Sequence, residues 1–288
     1  MPRIYPSIVS AIIVCTPLAA AAQEFGFSTK KGQPVETLSE AAAKAVHPRL
    51  ISEEAALAPG RSGVLALTLD IAPGWHLYWH NPGDSGLPIT WKIEAPDTLT
   101  FGEAQWPAPE RSISAGEILD YTYSDRVTIL LPVELSQSQP LGSEIKLRAK
   151  VSWLVCREGC VPGDGTVELT IPVASTSARG PDAERIDEAR ARLPKSSEAF
   201  RVAGGSATWV GQTLTLSVPG ARSLEFYPYA SENAQPLGLI TDGAAQGSTL
   251  AIAYRLSEGD SEPVRGVVEV NREGRDWYYF VEVSPPAR

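Results

Sequence analysis

Apolar residues in this chain recur at every second position, in short runs broken by glycine and proline. Trp91-Lys92-Ile93-Glu94 and Ile145-Lys146-Leu147-Arg148 alternate strictly, and the second feeds Val151-Ser152-Trp153-Leu154-Val155. Val167-Glu168-Leu169-Thr170-Ile171 follows, and residues 64–69 alternate in part. A period of two is that of a half-buried strand, whose side chains point to opposite faces of a sheet. Residues 127–133 are nearly continuously apolar, which predicts a strand buried on both faces. The 24 Gly and 24 Pro supply turns between the runs, and sheet signals begin at Ile51. A second series covers residues 207–218, 223–229, 250–256, 264–270 and 277–283, with Asn271-Arg272-Glu273-Gly274 as a hairpin turn. Between the two series, Pro181 opens and Pro194 closes a helical pattern with Ile186, Ala189 and Leu193 on one face. A weaker helical pattern covers residues 39–46. The expected fold is therefore all-β: two β-sandwich domains joined by a short helical linker. The expected divisions are 23–176, a linker at 177–200, and 201–288.

Residues 1–22 read separately. Arg3, an apolar stretch at 8–15 and Ala20-Ala21-Ala22 make a cleavable secretory signal, with the mature chain starting near Gln23. As a membrane anchor the apolar stretch is short. As a lipoprotein site Cys15 follows a bulky Val14. Periplasmic export is the expectation. The formal charge of -9 argues against nucleic acid as a partner, because an acidic chain repels phosphate backbones.

Of the three cysteines, Cys15 would leave with the signal, so the exported chain keeps Cys156 and Cys160. An even count in an oxidising compartment favours a disulfide. On one extended strand, two cysteines four apart would be separated by about 13 Å, too far to bond. If Arg157-Glu158-Gly159 forms a hairpin tip, they face each other at about 4.5–5.5 Å, and Gly159 can take the positive φ of a three-residue loop. The ring so closed adds about 2 kcal/mol by chain entropy, so a lone exposed pair suits exchange somewhat better than stapling. Arg157 would favour a thiolate and Glu158 would oppose it.

Other chemistry is weaker. Gly83-Asp84-Ser85-Gly86 matches the nucleophile segment of chymotrypsin-like proteases, but those enzymes order His, Asp and Ser across two barrels, whereas Ser85 comes early here. It reads as a turn-rich loop. Cys156, Cys160, His76 and His80 are conceivable ligands for zinc or Cu(I). His76 and His80 meet only on a helix, however, and Pro73, Gly74 and the surrounding Trp and Tyr favour strand. No metal site and no cofactor is called for. The aromatic sets Phe226, Tyr227, Tyr229 and Trp277–Phe280 could line a groove, and read more simply as alternating core and surface positions.

Several motifs in order carry a resemblance. Residues 74–88 (Gly74-Trp75-His76-Leu77-Tyr78 onward), Trp106-Pro107-Ala108-Pro109-Glu110-Arg111, Leu130-Leu131-Pro132-Val133 and Trp153-Leu154-Val155-Cys156-Arg157-Glu158-Gly159-Cys160-Val161-Pro162-Gly163 together resemble the periplasmic N-terminal region of the DsbD/ScsB disulfide reductases. The resemblance covers residues 45–175. Residues 180–285 look like the second β domain of ScsB-type regions by layout. It implies immunoglobulin-like sandwiches and a redox-active pair at Cys156 and Cys160. Trp75 and Tyr78 match positions near that pair. A cap loop would fall at 111–116, where Ile113 stands in place of the usual aromatic. It further implies electrons arriving from a membrane thiol transporter through a thioredoxin-like domain, both on separate chains, and passing to periplasmic disulfide proteins. The family association also brings cytochrome c biogenesis and copper tolerance into view. Two other readings stay open: a binding or assembly module with a structural disulfide, and a Cu(I)-handling protein using the same cysteines.

Overall fold

The computed structural model describes residues 37–114, 116–257 and 262–286. The signal-peptide reading lies outside the described residues. In chain order the first part comprises α1 (Leu38–Ala43), β1 (Val46–Ser52), β2 (Ser62–Ile71), β3 (His76–Gly83), β4 (Thr90–Glu94), β5 (Leu99–Phe101), β6 (Glu110–Ser114), β7 (Ile118–Ser124), β8 (Arg126–Leu135), β9 (Glu144–Cys156) and β10 (Cys160–Pro172). One sheet has the order β1-β2-β8-β5. The other runs β10-β9-β3-β7-β6, with β4 also on β9. On β9 the residues Ile145, Leu147, Ala149, Val151, Trp153 and Val155 are buried. They meet Leu65, Leu67, Leu69, Ile129 and Leu131 of the facing sheet in one core. The sheet period thus builds a sandwich, as the alternation predicts.

The chain then forms α2 (Ala183–Ala191), α3 (Ser197–Val202), β11 (Ser206–Val210), β12 (Thr213–Ser217), β13 (Ser223–Pro228), β14 (Ala234–Pro236), α4 (Leu239–Asp242), β15 (Ala244–Gln246), β16 (Thr249–Leu256), β17 (Val264–Arg272) and β18 (Arg275–Val283). The sheets β11-β12-β16-β14 and β15-β13-β17-β18 enclose a second core around Leu216, Phe226, Ile252 and Val268. The fold is all-β, two sandwiches with a short helical segment between them.

Particular expectations shift. Sheet structure starts at Val46 rather than Ile51, and the first helix ends at Ala43, closed at its start by a Thr37–Glu40 capping box. Residues 207–218 form two strands, because Gly211 (φ 61°) turns the chain back after Val210. Pro181 stands two residues before α2, just outside its N-cap Asp182. The Glu273-Gly274 turn is as read, with both residues at positive φ.

The continuous apolar run of β8 has its explanation in α2. Ile129, Leu131 and Val133 face the main core, while Leu130 packs with Ile51 and Ala66 beneath Ile186 and Ala189. The segment leading into the helix is pinned to the first sandwich by Ala55 N–H to the Ala178 carbonyl (2.9 Å) and Gly180 N–H to the Glu53 carbonyl (2.6 Å).

Alternation on β13 joins the two cores. Phe226 points into the second core, whereas Tyr227 and Val267 belong to the core of the first. The Tyr227 ring meets Tyr121 edge-on at 5.6 Å, and its hydroxyl lies 3.0 Å from Glu225 and 2.7 Å from Glu269. The described residues from Thr37 onward accordingly form one compact unit.

Candidate functional site

The site lies at the end of the β9–β10 hairpin. Thirteen residues of each strand pair antiparallel from Glu144↔Pro172 up to Cys156↔Cys160. Register places the two cysteines opposite each other with Cα atoms 4.1 Å apart, and they are disulfide-bonded. Trp153 lies across the hairpin, and Gly163 opposite it leaves the room: a Cβ there would come within 2.5 Å of the indole nitrogen. The glycine of the Val-Pro-Gly that follows Cys160 is therefore a packing requirement of the hairpin itself.

The tip differs from expectation in one respect. Gly159 is not at positive φ. The turn closes instead with Arg157 N–H donating to the Gly159 carbonyl (3.2 Å). Leu38 of α1 lies over Gly159, 3.0 Å from where a Cβ would sit, so any side chain there would require Leu38 to shift by a few tenths of an ångström. Arg157 turns back over the Trp75 ring at 4.8 Å, and Trp75 is buried beneath it.

The two sulfur-bearing residues are unequal. Cys156 is 3% exposed, while Cys160 is in the exposed class. Tyr78, itself buried, places its hydroxyl 3.0 Å from Cys156 Sγ, donating to it, and 3.7 Å from Cys160 Sγ. His76 is paired in register with Cys156 and meets Tyr78 edge-on at 5.4 Å. Burial lifts the Tyr78 phenol above its ordinary pKa, helped by the Asp120 charge and opposed by a hydrogen bond with Ser85. Burial likewise lowers His76, against Asp120. His80 is turned elsewhere, between Trp106 (5.6 Å) and Tyr229 (4.4 Å), and burial brings it down to about 4.

The Gly-Asp-Ser-Gly segment is a buttress. Asp120 accepts from both Ser85 N–H and Ser85 Oγ (2.8 Å each), and Asp84 accepts from Leu119 N–H at 2.8 Å. Gly86 (φ 81°) then lies flat on the Tyr78 ring, where a Cβ would stand 2.3 Å from Cε1. Sequence reading missed Asp120, Ser85, Gly86 and Leu38. The signal available for Gly86 was a glycine ending a turn-rich loop, which does not name the ring it covers.

The proposed cap segment is a strand. Residues 110–114 are β6, paired to β7, and the chain turns at Gly116 and Glu117, both at positive φ. Ile113 pairs with Leu119 and is 47% exposed. The contacts found on the sulfurs come from Tyr78. Arg111 instead donates to the Leu239 and Ile240 carbonyls at 2.5 and 2.7 Å. Among the described residues no cluster of three or more His, Cys, Asp or Glu is arranged to hold a metal ion.

With this geometry in place, residues 47–172 match the family model for the thiol:disulfide interchange protein DsbD, N-terminal. This stretch carries the chain's likeness to the DsbD N-terminal region. The family match ends at Pro172, and the likeness to solved structures goes further. The N-terminal periplasmic domain of ScsB from Proteus mirabilis superposes with a TM-score of 0.55 at 16% identity, covering 84% of this chain and 95% of that one. That likeness is one of fold, spanning both sandwiches. The reduced DsbD N-terminal domain of Neisseria meningitidis matches at 19% identity over 45% of this chain and 89% of its own, with a TM-score of 0.27. No curated protein matches. The disulfide pair of this DsbD-type domain is Cys156–Cys160, and thiol–disulfide interchange is the chemistry of its family.

Proposed function

We propose that the chain is a periplasmic carrier of reducing equivalents, exported through residues 1–22, with Cys156 and Cys160 as the reacting pair. It receives electrons from a membrane thiol transporter by way of a thioredoxin-like domain and passes them to periplasmic disulfide proteins. The observation that carries this reading is the asymmetry of the pair: an exposed residue, Cys160, is bonded to a buried one, Cys156, whose sulfur takes the shorter contact from the Tyr78 hydroxyl.

In the reducing half, a donor thiolate attacks Cys160 Sγ. The Cys156–Cys160 bond breaks, and Cys156 leaves as a thiolate that accepts the Tyr78 hydroxyl hydrogen bond. The donor's second thiolate attacks its own sulfur in the mixed disulfide and releases Cys160. Two electrons and two protons have then entered the pair, and the donor is a disulfide. In the second half the Cys160 thiolate attacks a substrate disulfide, and Cys156 resolves the mixed species. Arg157, held over Trp75 beside Cys156, favours the thiolate forms. Trp75 and Tyr78 act as supporting residues, and Ile113 on the β6 arm is a candidate partner contact.

Trapping tests the order of attack. Cys156→Ser, which keeps Cys160 but cannot resolve, should accumulate partner-linked species identifiable by mass spectrometry, and Cys160→Ser should accumulate few. Absence of a trapped partner in both variants, where wild type turns over, would sink the reading. A fixed structural disulfide would instead show a midpoint potential below about -300 mV in glutathione buffers.

A further inference from the structure

The groups found on the sulfurs come from the first sandwich, yet the second touches the machinery around them at two places. We propose that it is a positioning scaffold for the disulfide: through Asn81 and Arg111 it fixes the Tyr78 phenol against the two sulfurs.

The need for such support lies in β3. Its ladder to β9 consists of one pair, His76↔Cys156. Its ladder to β7 covers His76 to Tyr78, then loses register until Gly83. Tyr78 is therefore the last regularly paired residue, and the stretch after it has no regular strand neighbour in that sheet to hold it. A strand that leaves its ladder is free to bend unless something else ties down its backbone and side chains.

The second sandwich supplies that hold. Asn81 Nδ2 donates to the Pro228 carbonyl at 2.7 Å, while Asn81 Oδ1 accepts from Gly83 N–H at 3.3 Å. Trp79 meets Tyr229 edge-on at 5.4 Å. Asn81 and Trp79 are thus seated on the end of β13, and the ladder to β7 resumes at Gly83.

Arg111 provides the second brace. It reaches from β6 to two carbonyls of α4. Ser112, next to it, pairs with Asp120 of β7. Asp120 holds Ser85 by two bonds, and Gly86 beside Ser85 covers the Tyr78 ring. Both routes end on the same phenol. Asn81 and Arg111 are positioning residues, because neither is among the groups found on a sulfur.

The inference rests on the exchange reading for its purpose but is testable without it. The rate of reduction of the Cys156–Cys160 bond by dithiothreitol reports the site with no protein partner. Asn81→Asp keeps size and the acceptor but loses the donor; Arg111→Met keeps the stem but loses both bonds. Each should slow reduction about three-fold or more, with an unchanged near-ultraviolet spectrum, and Arg111→Lys should recover most of the loss. Arg265→Met, which removes an ion pair to Glu282 within the second sandwich, should reduce at the wild-type rate. In a Tyr78→Phe background the same tether changes should add less than about two-fold, since the phenol they position is gone. Wild-type rates in folded tether variants would overturn the proposal, as would tether effects of equal size with and without the Tyr78 hydroxyl. Failure to trap a partner would count against the exchange reading and leave this result standing.

Discussion

Tyr78 is one residue with two demands on it. Its hydroxyl donates to a disulfide sulfur, a weak acceptor, and would donate to a much stronger one once Cys156 becomes a thiolate. The interaction therefore strengthens as the bond breaks, which is where it lowers a barrier. Tyr78→Phe should slow reduction by dithiothreitol about five- to ten-fold, the worth of about 1–1.4 kcal/mol, while leaving Cys156–Cys160 able to form. Stopped-flow fluorescence would read it. His80 makes a separate prediction. Its folded pKa of about 4 lies below the ordinary 6.5, so the unfolded chain takes up a proton that the folded chain refuses. The stability that the neutral ring contributes is whole above about pH 6.5 and is lost progressively as pH falls toward 4, by about 3 kcal/mol at the limit. Urea unfolding across that range should show a flatter pH profile for His80→Gln than for wild type.

The β9–β10 hairpin is the element on which the site depends, and its register follows from its inward residues. A slip by one would turn Ile145, Leu147 and Val151 to solvent, so the alternation places Cys156 opposite Cys160. That much was legible in the sequence. The contents of the tip were not, because the partners of Gly159 and Tyr78 come from α1 and from the 83–86 loop, distant in the chain. Long-range contacts of that sort leave no periodic trace. Gly163→Ala should destabilise the protein by about 1–3 kcal/mol, since a methyl group there meets the Trp153 indole. A denaturant midpoint shift with unchanged slope would confirm it. The continuous run of β8 announced two buried faces, and only the folded chain shows that α2 is what covers the second.

At the scale of the whole molecule, two sandwiches were readable from two series of alternating runs separated by a helical pattern. That they share apolar contacts was not. The aromatic residues of β13 read as alternating core and surface positions, yet the neighbours Phe226 and Tyr227 are both buried, Tyr227 against Tyr121. One alternation serves two cores. Heating the intact chain should therefore give a single cooperative transition, with calorimetric and van't Hoff enthalpies in agreement. Two separated transitions would mean that the sandwiches melt independently. The thirteen-pair ladder behind the disulfide bears on the working cycle as well. The bond spans only four positions along the chain, and the ladder holds the strands whether it is made or broken. Oxidised and reduced molecules should then present almost the same outline. Partners would have to tell the two states apart by sulfur reactivity rather than by shape, and the direction of flow would follow the supply of thiols on either side.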